Sequence, residues 1–297
     1  MNGTFSWNLL ADVRDMWSLP FMLNAFRAGT IVAVLAALVG WFMVLRQQSF
    51  AGHTLAVVGF PGAAAAVWLG VGITYGYFTV CVVAALVIAA LPRPGGRGYT
   101  EESAVIGTVQ AYALASGMLF VALYNGFLNG TNALLFGTFL GVTTSQVHIL
   151  GVVAVTVLAI LGLIGRPLLF ASIDPDVARA HGLPTRALAT VFLVILGATA
   201  AEVSQITGAL LVFALLVLPP ATAQLITLRP AVGLALSVVV ALAVVWVGLF
   251  VAYYSPYPTG FWATTVAFAL YVLAAAGATI SVRVRRRTAM VPLGVPA

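Results

Sequence analysis

No lysine occurs anywhere in the 297 residues, and only 7% of them are charged. A soluble domain carries about 25% charged residues, so a water-facing surface cannot be built from this chain. The absence of lysine also rules out a Gly-x-x-x-x-Gly-Lys-Ser/Thr phosphate loop, and with it nucleotide hydrolysis of that type by this chain. Cysteine is scarce as well. The single Cys81 excludes an intrachain disulfide and a cysteine metal cluster, and its place inside an apolar run reads as packing. No histidine or carboxylate pair stands at ligand spacing within one apolar segment, which argues against a tight metal cage built by this chain alone. The first twenty residues hold Asp12, Arg14 and Asp15 and lack a basic start followed by a short apolar run, so no cleaved signal peptide is expected.

What the chain does have is apolar length: 62% of it is hydrophobic and the mean hydropathy is +1.11. A helix needs about 20 apolar residues to cross roughly 30 Å of hydrocarbon. Segments 22–45, 53–71, 73–92, 103–125, 146–165, 187–204, 207–227, 231–253 and 260–281 meet that length within a few residues. The expected fold is therefore an all-α integral membrane bundle of about eight or nine transmembrane helices in one domain spanning 1–297. Within 187–227 only Ser204, Gln205 and Ile206 interrupt the run, which leaves either two short spans or one broken helix.

All thirteen basic residues are arginine, and they sit between apolar segments instead of forming a patch, which argues against nucleic acid. Positively charged loops stay cytoplasmic. With nine spans and the N-terminus outside, Arg46, Arg93, Arg97, Arg166, Arg179, Arg186, Arg229, Arg283, Arg285, Arg286 and Arg287 all fall inside, leaving only Arg14 and Arg27. The expectation is a multi-pass protein of a bacterial inner membrane, with residues 1–20 outside, a cytoplasmic loop at 166–186, and a cytoplasmic basic tail at 282–297 that touches lipid headgroups.

Ionisable groups inside a membrane are costly, about 2.5–3.5 kcal/mol at a helix centre, so each is a functional candidate. Ser49 and His53 lie four apart on one helical face; a neutral imidazole can bind a transition metal transiently, and a helix-packing histidine bonded to a neighbouring backbone fits the position equally. Glu202 lies about 22 Å along its span at 1.5 Å per residue, near the outer face, as a hydrated carboxylate or part of an outer gate. Gln205 follows it closely. These four are the ion-path candidates. In the loop, Asp174 is a good N-cap, Pro175 suits the first helical position, Asp176 favours the helix start, and Gly182 supplies the stop, with Arg179 and His181 between. They encode one short helix outside the membrane.

Taken together these segments resemble the ABC-3 family of metal-importer permeases over nearly the whole chain. Ser172 to Gly182 resembles the family's coupling helix, and the run from Gly208 to Ala223, through Pro219 and Pro220, is similar to its Gly-x-Leu-Leu-Val to Pro-Ala-x-x-Ala span. Weaker matches are Val44-Leu45-Arg46, Glu101 to Gly107, Leu135-Phe136-Gly137 and Pro258-Thr259-Gly260. Gly52 to Pro61-Gly62 resembles a Gly-Asp-x-x-x-His run in which aspartate and histidine face the ion path. Here His53 stands in the aspartate's place and Val57 in the histidine's, and Pro256 takes the place of an external aspartate.

The resemblance implies a permease that pairs with a second copy of itself, binds an ATP-binding-cassette ATPase through Asp174 to Gly182, and receives zinc or manganese from an extracytoplasmic receptor. ATP would be hydrolysed on the partner, no cofactor would be bound by this chain, and the transported ion would be its cargo. Gly52, Pro61, Gly62, Gly208, Pro219 and Pro220 are the expected hinge and packing positions. Alternatives are a secondary transporter or channel, or an importer permease for a metal chelate.

Overall fold

The computed structural model describes residues 9–91, 99–124, 137 and 139–289, without the side chains of 9–12, 99–102, 209–210 and 281–289. Arg93, Arg97, the loop from 125 to 136 and the side chains of Glu101 and Arg283 to Arg287 thus lie outside what is described. Eleven α-helices follow in order among the described residues: α1 Leu9–Ser18, α2 Pro20–Leu45, α3 Ser49–Leu69, α4 Ile73–Ala90, α5 Tyr99–Leu123, α6 Thr144–Ile173, α7 Pro175–Ala180, α8 Thr185–Thr207, α9 Ala209–Ile226, α10 Pro230–Tyr254 and α11 Thr259–Ala289. Eight of them are long and apolar enough to cross a membrane, and α9 is a shorter apolar helix.

Neighbouring helices alternate in direction. α3 and α4 are antiparallel, since the Cys81 thiol meets the Leu55 carbonyl while Gly62 meets Gly76. α4 and α8 are likewise antiparallel through Thr74 with Gln205 and Cys81 with Gly197. α3 and α5 run parallel, because Thr54 bonds Gln110 and Pro61 touches Gly117. α2 and α10 oppose each other, with Gly29 beside Val245 and Trp41 beside Gly233. α2, α3 and α8 are the most enclosed helices; α5 and α11 are peripheral.

The 187–227 stretch is two helices. Gly208 adopts φ +75°, open to glycine and strained for other residues, and there the chain reverses. α9 then starts with Leu211 near Gly260, where α11 begins, and reaches the other end with the Gln224 amide donating to the Trp41 carbonyl at 3.0 Å. It runs unbroken through Pro219 and Pro220. Pro220 has no N–H for the Leu216 carbonyl, and that carbonyl is the atom a side chain on Gly40 of α2 would strike. The two prolines therefore stand at a close helix crossing.

Three other boundaries differ from expectation. α6 continues past residue 165 to Ile173, through Pro167, because Leu168 and Ala171 still bury their side chains and Asp174 is the first strong stop. The loop it leads into is correspondingly shorter than 166–186. Residues 9–18 form a helix whose Met16 is buried and whose Trp17 ring meets Phe26 edge-on at 6.4 Å. The backbone of the basic tail is helical as far as Ala289.

α2 closes on a left-handed residue that is not glycine. Gln47, at φ +57°, donates its N–H to the Val44 carbonyl while the Gln48 N–H reaches Met43, both at 3.0 Å. This is a Schellman motif with glutamine in the position glycine usually holds.

Candidate functional site

α3 is almost wholly buried from Ala51 to Ala66, apart from a half-buried stripe that carries Ser49, His53 and Val57. Positions four apart share one helical face, so Ser49 and His53 are brought together as their spacing requires. The His53 ring packs edge-on against Phe213 of α9 at 5.0 Å, and its Nδ1 is buried without a hydrogen-bond partner. A neutral imidazole with a free ring nitrogen is a transition-metal ligand. Beside it the fully buried Thr54 donates its hydroxyl to the Gln110 Oε1 of α5 at 2.9 Å. Gln110 carries a signal in sequence, an amide within an apolar span, that the polar pattern of α3 alone does not point to. Gly52 keeps α2 and α3 close, because a side chain there would strike the Met43 sulfur.

Glu202 and Gln205 lie elsewhere. Ser204 of α8 donates to the Ala56 carbonyl at 3.4 Å, which fixes the face of α8 that meets α3. Glu202, two residues earlier, is turned about 200° around the helix, given 3.6 residues per turn. The structure therefore does not bring it to the His53 stripe. Nor does it lie at the surface: it is 0% exposed, and neither carboxylate oxygen has a hydrogen-bond partner within the protein. Gln205 accepts from the Thr74 hydroxyl at 2.9 Å and donates to the Ala201 carbonyl at 3.3 Å, tying α8 to the start of α4. Among the described residues, no three histidine, cysteine, aspartate or glutamate side chains gather where they could hold a metal ion.

At the arginine-rich end, α7 forms as its residues dictate. Asp174 closes α6 and caps α7, accepting from the N–H of Asp176 at 3.2 Å and of Val177 at 2.9 Å, with Pro175 in the first turn. Arg179 pairs with Asp176 on the exposed side, a contact of little energetic worth. The His181 Nδ1 lies 2.9 Å from the Val177 carbonyl and its ring meets Phe170 of α6 edge-on at 5.9 Å. Gly182, at φ +79°, turns the chain out. Ala178 is fully buried against the bundle while Asp176, Val177, Arg179 and His181 face outward. The helix is thus anchored on one side and offered on the other.

Eight long apolar helices packed around a half-buried stripe on α3 define a polytopic, all-helical membrane protein. The chain belongs to the ABC 3 transport family, whose model matches residues 18–278. It is 26% identical over 267 residues to the manganese transport system membrane protein MntC of Halalkalibacterium halodurans, covering 90% of each chain. It is 32% identical over 209 residues, 70% of each chain, to the chelated iron transport system membrane protein YfeC of Yersinia pestis. Its fold matches a chain of PsaBC from Streptococcus pneumoniae in complex with Fab, with a TM-score of 0.79 at 24% identity over 90% of this chain and 95% of that one.

Proposed function

We propose that this chain is the membrane-spanning subunit of an ATP-driven importer for a divalent transition metal ion, manganese or zinc, working by alternating access. The observation that carries the reading is the capped helix α7, anchored through Ala178 and exposed along Asp176, Val177 and Arg179, in a chain matched to its family from 18 to 278. Its exposed face suits docking of a separate ATPase, which hydrolyses the ATP. The end bearing α7 is cytoplasmic in this reading, with the N-terminus outside, because arginine-rich ends remain on that side. A second copy of the chain completes the path, and an extracytoplasmic receptor supplies the ion at the opposite end.

Along the path, Ser49 and His53 form the polar track on α3. Glu202 and Gln205, toward the receptor side on α8, belong to the outer gate and not to the ligands. One imidazole binds an ion weakly enough to release it, as conduction requires.

A second reading, import of a metal chelate, is favoured by the same single ligand, since a chelate brings its own. The two are separated by measuring metal-stimulated ATP hydrolysis of the reconstituted complex. Stimulation by free manganese or zinc with its receptor supports the ion; stimulation only by a chelated metal supports the chelate.

A further inference from the structure

Arg46 sits at the junction of the two parts of the molecule that transport has to connect. It caps α2 at the Schellman turn, and His53 follows seven residues later on α3. Its side chain points to the α7 end. The Nη1 donates to the Ser172 hydroxyl at 3.0 Å, and that hydroxyl in turn donates to the Leu168 carbonyl of α6 at 2.5 Å. Ser172 lies two residues before Asp174, the cap of α7. The guanidinium also stacks over the fully buried Phe192 of α8, 5.4 Å from the ring centroid, and its Nε donates to the Gln48 side chain at 3.2 Å.

One side chain therefore holds both helices that flank α7, α6 through Ser172 and α8 through Phe192, and fastens them to the turn from which α3 starts. The helix between the two flanks is short and internally braced, by Asp174 at its start and by the Phe170–His181 contact at its end. A push on α7 is thus delivered to α6 and α8 as a unit. The turn they are fastened to is closed by two backbone hydrogen bonds, with Gln47 in a left-handed conformation.

We infer that Arg46 is the positioning residue that converts movement of the α7 loop into movement of the His53 stripe. The inference rests on the reading of α7 as the ATPase-docking helix. A planar guanidinium suits this task better than lysine, because it can stack on Phe192 and donate to Ser172 and Gln48 at once.

The test uses the permease, its ATPase and its receptor in proteoliposomes, measuring manganese uptake and ATP hydrolysis together for the unaltered chain, Arg46→Ala, Arg46→Lys and Ser172→Ala. The expected result is uptake at least tenfold lower in Arg46→Ala with ATP hydrolysis within about twofold of the unaltered complex, so that ions moved per ATP collapse. Arg46→Lys keeps the charge and a bond to Ser172 but loses the stack, and should fall between; Ser172→Ala should lose a smaller part of the same ratio. Size-exclusion recovery of each complex and the intermediate behaviour of Arg46→Lys separate lost coupling from lost folding. An unchanged ratio of uptake to hydrolysis in Arg46→Ala overturns the inference alone. An unaltered complex that moves no metal overturns the importer reading and this inference with it.

Discussion

His53 and Phe213 meet edge to face at 5.0 Å, across the contact between α3 and α9. The His53 ring is thus oriented by a helix that enters the bundle more than 150 residues later. If His53 is the ligand, His53→Ala should lower uptake at limiting metal at least about tenfold, the lower end of what losing even a supporting partner of a metal ligand costs. Phe213→Leu, which frees the ring but keeps it present, should lower uptake less. Uptake assayed over a range of manganese and zinc concentrations checks both, and an unaltered concentration dependence in His53→Ala assigns the residue to packing.

The Thr54–Gln110 bond is a polar contact next to the stripe. Thr54→Val leaves a half-buried amide oxygen without its donor, and hydrogen bonds between membrane helices are worth about 0.6–2 kcal/mol. A double-mutant cycle with Gln110→Leu, read by unfolding in detergent, should return a coupling energy in that range. A coupling near zero removes the bond from the account of how α5 is held.

Gly40 makes a sharper test of packing. A side chain there meets the Leu216 carbonyl, and backbone cannot move aside as a flexible side chain can. Gly40→Val should therefore destabilise the protein by about 1–3 kcal/mol, the usual cost of overpacking. The readout is the midpoint of thermal unfolding in detergent, with Gly277→Ala, where nothing lies within 4 Å, as the neutral comparison.

Asp174 is expected to matter twice. Asp174→Ala removes the cap of α7 at about 1 kcal/mol, and it also frays the surface proposed to meet the ATPase. Asp174→Asn, which keeps the capping oxygen, should restore binding. Co-purification of ATPase with each variant measures this, and equal recovery with alanine and asparagine would show that the cap is irrelevant to docking.

The spans were legible because membrane thickness demands long apolar runs, and each predicted run lies within or nearly coincides with an observed helix. The cap, proline and glycine of α7 were legible because their chemistry is local. Glu202 was not: the sequence gives its height along α8, while its burial depends on which neighbours surround it. The role of Arg46 was also hidden, since its partner Ser172 lies 126 residues away and the arginine on its own reads only as a topology signal. Helix α1 is too short and too mixed in polarity to register as a span, and only the packing of Met16 and Trp17 explains it.

In the proposed reading this chain moves metal only when a partner ATPase drives it. Uptake of manganese and zinc into proteoliposomes holding the chain with its receptor, with and without the ATPase and ATP, measures that directly. Uptake is expected to require both ATPase and ATP; uptake that persists when either is omitted would contradict the importer reading and point to a channel or secondary transporter.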